Sequence, residues 1–181
     1  MAATKVDKSA QHENSVKCAM SKTFKVVGLG GTFDEFHKGH RALFTKAFEV
    51  SERVVVGLAT DAFVEKLGKP HNFAKYSVRL EELKSYLKKH GWIDRAKIIP
   101  IRTIYGNTLA SKRLEGIVVS RETAPTANEI NEKRKAKGLE PLSIIVIDMV
   151  PAYNSEPIST TRIRFMEIDR EGHRLKHEHE N

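Results

Sequence analysis

Two short stretches carry side chains whose types and spacing suit phosphate chemistry. The first is residues 26–40, VVGLGGTFDEFHKGH, where Gly30 and Gly31 precede Thr32, and His37 and His40 stand three apart. Glycines at the end of an apolar run remove Cβ atoms where a ligand must approach the main chain. They also permit backbone angles that turn successive N–H groups toward an anion. Gly39 and His40 then open a helical pattern, whose unpaired N–H groups and positive dipole end favour negative charge. Both imidazoles bracket that helix start within reach of one phosphate group. The same histidines are also compatible with a metal pair lacking an obvious third ligand, or with surface histidines at a helix cap.

The second stretch is residues 157–164, PISTTRIR, with three consecutive hydroxyls at Ser159, Thr160 and Thr161 followed by Arg162 and Arg164. Hydroxyls at a helix start can cap it or donate to an anion, and arginine adds permanently charged, bidentate donors. A capped surface helix is the plainer reading of this stretch alone. Set beside the glycine–histidine stretch, it becomes the second half of a polyphosphate site.

The elements that must position these groups follow from periodicity. Apolar, β-branched runs predict strands at residues 24–29, 53–59, 97–101, 116–120 and 143–149, with Gly30-Gly31 in the loop after the first. Helical spacing predicts helices at 39–50, 76–90, 126–137 and 159–168, with Gly91 and Gly138 as stops. Trp92 is expected to be a packing anchor. Alternation of this kind implies a doubly wound (Rossmann-like) α/β fold, a parallel five-stranded sheet with helices on both faces. Ligands of such folds lie beyond the carboxyl ends of the strands. Ser120 ends one of those strands and joins the candidate site.

A chain of 181 residues fits one domain. Residues 23–170 are expected to form it, between a flexible extension at 1–22 and a polar tail at 171–181. No apolar run approaches the length needed to span a bilayer, and the start has no secretory apolar core. A single cysteine, Cys18, excludes a disulfide framework and fits the cytoplasm. The formal charge of +8 admits a basic nucleic-acid-binding module. Yet the Lys and Arg residues are scattered, and small polyanionic substrates explain a positive field equally well, so neither a nucleic acid nor a membrane is expected as partner.

GGTFDEFHKGH resembles the signature of the HxGH nucleotidyltransferase superfamily. Together with VVSRET, the NEINEKRKAKGL run and ISTTRIR, it is similar to the phosphopantetheine adenylyltransferases of archaeal and eukaryotic type, over about residues 24–169. The resemblance implies adenylyl transfer from ATP to 4′-phosphopantetheine, giving dephospho-coenzyme A in coenzyme A synthesis, with Mg2+ riding on the ATP phosphates rather than on protein ligands. It implies catalytic roles for His37, His40 and Arg162. Gly30, Gly31, Thr32, Phe33, Gly39, Ser120, Ser159, Thr160 and Thr161 would then bind ATP, and Thr32 would also face the acceptor. Lys66, Lys69 and Arg79 are weaker acceptor candidates. Asp34 is read as stabilising the turn, and Arg121, a departure from the family pattern, as a surface residue. Thr160 and Thr161 stand for serines but keep the hydroxyls. A cytidylyltransferase acting on a small phosphomonoester shares the first motif and is the alternative.

Overall fold

The computed structural model describes residues 22–68 and 72–175. Five strands, β1 (Phe24–Gly31), β2 (Ser51–Ala59), β3 (Ala96–Ile101), β4 (Gly116–Ser120) and β5 (Ser143–Ile147), form one sheet in the order β3-β2-β1-β4-β5. Every pairing is parallel. The chain winds outward from β1 to β3, then returns to the far side of β1 for β4 and β5. The switch point therefore lies between β1 and β4, where an α/β sheet offers a crevice. Register deepens it: β1 pairs with β2 as far as Gly31↔Leu58, but its recorded pairing with β4 ends at Gly28↔Ile117.

Alternating residues of β1 and β2 face two apolar layers. On one face Val27, Leu29, Val54, Val56 and Leu58 meet Phe44, Ala47 and Phe48 of α1 (Lys38–Val50) and Leu83 and Leu87 of α3 (Tyr76–Lys89). On the other, Val26, Val55 and Ile117 meet Ala127 and Ile130 of α4 (Ala124–Ala136). Strands buried on both faces read as near-continuous apolar runs. Trp92 stacks on Phe48 with ring centroids 4.5 Å apart, the packing role expected of it. Gly91 and Gly138, both at φ +67°, stop α3 and α4.

Several boundaries differ from the sequence reading. Gly30 and Gly31 are the last two residues of β1, not loop, because Gly57 and Leu58 of β2 pair with them. A short helix, α2 (Asp61–Lys66), follows β2, and the six-residue span is too brief for a periodic signal. The last helix, α5, is confined to Thr160–Arg164; Ser159 caps it, and Met166 at φ 59° soon turns the chain out of helix. Residues 171–175, expected in a loose tail, fold back instead. Arg174 bridges Ile168, the Tyr153 N–H donates to the Gly172 carbonyl, and Gly172 at φ +89° is wedged where a Cβ would lie 2.7 Å from Ile158. The expected extension falls almost wholly outside the described residues.

Candidate active site

A cavity of about 520 Å³ opens at the carboxyl ends of β1 and β4, and both motif stretches line it. Gly30, Gly31, Thr32, Phe33, His37, Gly39 and His40 come from the early segment, and Ser159, Thr160 and Thr161 from the late one, with Ser120 at the end of β4. Direct contact closes the two segments together: the buried Thr160 hydroxyl donates to the Asp34 carbonyl at 3.0 Å.

The histidines build the start of α1. His37 is its N-cap, and its Nδ1 accepts the Gly39 N–H at 3.1 Å, while His40 Nδ1 accepts the His37 N–H over a longer 3.5 Å. The rings stack with centroids 3.8 Å apart. A backbone N–H can only donate, so each neutral ring carries its proton on Nε2. The cap thus presets the tautomer that presents N–H donors beyond the helix start. It also explains the glycine between the histidines: a Cβ at residue 39 would lie 3.0 Å from His37 Cε1.

Phe33 supports this arrangement from below. Its ring meets His40 edge-on at 5.3 Å and lies 3.1 Å from where a Gly31 Cβ would stand. Phe33 and Glu35 both have positive φ, 49° and 47°, so the turn holds two non-glycine residues in a left-handed conformation. Asp34 pins that turn as expected. Fully buried, its carboxylate accepts the Ala74 N–H at 3.0 Å and two donors of Arg164, Nη2 at 2.9 Å and Nε at 3.2 Å. The hydrogen bond to Asp34 is the main cause raising the Arg164 pKa.

The remaining sequence candidates lie elsewhere. Arg162 does not line the cavity: its Nε pairs with Glu167 at 2.9 Å and its Nη1 with Glu156 at 3.5 Å, over an adjoining depression that shares Ser159, Glu122 and Met149. Arg79 has 0% exposure. It donates to the carbonyls of Ala74 (2.7 Å), Thr32 and Ala59 (both 2.8 Å) and to Asp61 (2.7 Å). It therefore braces the loops behind the site instead of facing an acceptor. Burial works against ionisation of Asp61, but the Tyr76 N–H and Arg79 outweigh it and hold that carboxyl below its ordinary range. Lys66, exposed at the end of α2, is not on the cavity wall, and Lys69 lies outside the described residues. Arg121 is a surface residue paired with Asp148 at 2.7 Å.

Sequence reasoning missed part of the wall. Tyr105, Gly106, Asn107 and Thr108, in a segment with no periodic signal, line it with Phe63, Leu67, Ile101 and Ile104, while Thr123 and Thr126 line it from the start of α4. The hydroxyl-rich run SRETAPT was the available signal for the latter. Among the described lining residues none is Lys or Arg, and Glu122 and Asp148 add carboxylates. Local positive character therefore comes from imidazole N–H groups and the α1 N-terminus.

A parallel sheet whose switch point brings a histidine-capped helix against a hydroxyl turn defines a nucleotidyltransferase, and the Cytidylyltransferase-like family model matches residues 29–165. Phosphopantetheine adenylyltransferase of Methanothermobacter thermautotrophicus is 43% identical over 157 residues, covering 87% of this chain and 93% of the relative. That of Methanopyrus kandleri is 41% identical, covering 78% and 89%. The chain belongs to the phosphopantetheine adenylyltransferase family. A solved structure of a protein of unknown function from Archaeoglobus fulgidus superposes with TM-score 0.62 at 28% identity, over 75% of this chain and all of that one.

Proposed function

We propose that the protein transfers the adenylyl group of ATP to 4′-phosphopantetheine, releasing pyrophosphate and forming dephospho-coenzyme A. One observation supports this beyond family membership: two segments some 120 residues apart in sequence, Gly30–His40 and Ser159–Thr161, line a single cavity and touch through Thr160 and Asp34. A phosphate oxygen of the acceptor attacks the α-phosphorus, and the bond from that phosphorus to the pyrophosphate oxygen breaks. The acceptor, with a second pKa of about 6, is mostly a dianion at neutral pH and needs no general base.

What remains is alignment and charge neutralisation. Nε2–H of His37 and His40 would donate to oxygens on the α-phosphorus and the departing pyrophosphate. Ser159 and Thr161 would hold the β- and γ-phosphates from across the crevice, while Thr160, whose one hydroxyl proton goes to the Asp34 carbonyl, fixes the turn that carries them. Arg162, next to Ser159, would reach the same phosphates only by leaving Glu156 and Glu167. Mg2+ would come with the nucleotide: a hard cation that keeps several waters fits a site whose described residues offer Glu122 and Asp148 but no group of three carboxylate, imidazole or thiolate ligands.

Pyrophosphate release tests the reading. Release is expected with ATP plus 4′-phosphopantetheine and not with CTP; release with CTP and a different phosphomonoester alone would replace it with the cytidylyl alternative.

A further inference from the structure

We propose that Arg134 is a positioning residue that sets the cavity wall formed by residues 105–108 and, through it, affinity for the uncharged arm of the acceptor. The inference rests on the functional reading above. Arg134 is 1% exposed and sits in α4. Its guanidinium donates to three main-chain carbonyls: Glu140 at 2.7 Å, Ser111 at 2.9 Å, and Thr108. No described carboxylate pairs with it, and burial pushes its pKa down. A buried cation without an anion is costly, so its place needs a use other than charge pairing.

That use is geometric. The connection from β3 to β4 contains no helix or strand, yet it supplies Tyr105, Gly106, Asn107 and Thr108 to the cavity wall. Its shape must come from outside itself. Arg134 fixes the carbonyls of Thr108 and Ser111 from below, and its neighbours on α4 hold Tyr105, whose hydroxyl donates to Glu129 at 2.6 Å while Lys133 lies 5.3 Å over its ring. Only a planar fork with several fixed donors serves three carbonyls at once; lysine offers a single point. Tyr105 and Leu109 also pack on the apolar cluster of Leu114 and Ile130, so loss of the guanidinium loosens the loop without releasing it.

The residues it sets carry no charge, and Ile104, Phe63, Leu67 and Ile101, which line the same cavity, are apolar. A triphosphate belongs with the hydroxyls and histidines, and an uncharged chain with these residues.

The test compares Arg134→Met and Arg134→Lys with the parent and with Leu87→Ala, a core truncation on the other sheet face. Arg134→Met is expected to raise KM for 4′-phosphopantetheine about tenfold while KM for ATP and kcat stay within about threefold. Amide exchange at residues 105–111 should quicken, and Arg134→Lys should recover part of both effects. An unchanged acceptor KM, or an equal rise in Leu87→Ala, would overturn the proposal. If the parent protein releases no pyrophosphate, the functional reading fails, and the positioning role is then decided by exchange in the ligand-free protein, where parent-like rates at 105–111 refute it. Should Arg134→Met not fold, Arg134→Lys carries the same comparison.

Discussion

Asp34 and Arg164, 130 residues apart, form a two-pronged ion pair in which the carboxylate is wholly buried and the guanidinium keeps 29% exposure. The same guanidinium reaches Glu35 at 2.8 Å. The strained histidine turn is thus held from the opposite end of the chain. Replacing Arg164 by Met takes this guanidinium away from a buried carboxylate. A loss of about 3 kcal/mol in chemical denaturation is expected, with turnover down at least about tenfold as the turn relaxes. A variant of parental stability would show that the pair does not hold the turn.

Gly39→Ala tests the cap while keeping both histidines. The added methyl meets His37 Cε1 at 3.0 Å and must push the ring aside. Turnover should fall, but by less than the roughly hundredfold of His40→Ala, because a ring that gives by a few tenths of an ångström is misaligned yet keeps its donor. Far-ultraviolet dichroism should be unchanged. Full activity in a folded Gly39→Ala protein would remove the histidine cap from the mechanism.

The Tyr105–Glu129 bond gives a stability window in pH. The bond to Glu129 is the main cause raising the Tyr105 pKa above its ordinary 10.0. The same bond is the main cause lowering Glu129 below its ordinary 4.5. For the lowered carboxyl, stability is present above 4.5 and lost as pH falls through the depressed folded value. For the raised phenol, it is present below 10.0 and lost as pH rises through the folded value. Tyr105→Phe should therefore melt below the parent only between those limits, by a small margin because both groups meet solvent. Equal differences at all pH values would assign the effect to packing alone.

Chelation separates a nucleotide-borne cation from a resident one. Excess EDTA should abolish pyrophosphate release, and added Mg2+ should restore it, while the melting temperature of the ligand-free protein stays constant. A drop in that temperature would point to a structural metal.

Much of this architecture is legible in the sequence because it depends on local order. Apolar runs such as RVVVGLA and GIVVS give β2 and β4, glycine stops end α3 and α4, and both motif stretches lie at the crevice that strand order creates. What escapes is set by distant partners. Nothing near residues 162 and 164 tells which arginine meets Asp34 and which turns to Glu167. Arg79 reads as an acceptor contact early in a helix until Thr32, Ala59 and Ala74 enclose it. The wall at residues 105–108 has no period of its own, since α4 shapes it.

The recorded pairing of β1 with β4 stops at Gly28, so the sheet resembles an open book, with β3, β2 and β1 as one leaf and β4 and β5 as the other. The crevice runs along the spine. Any molecule gripping the glycine–histidine turn on the first leaf and Ser120 on the second would staple the covers together. Occupancy then resists unfolding as well as enabling turnover, and the protein should be hardest to melt when it is busiest.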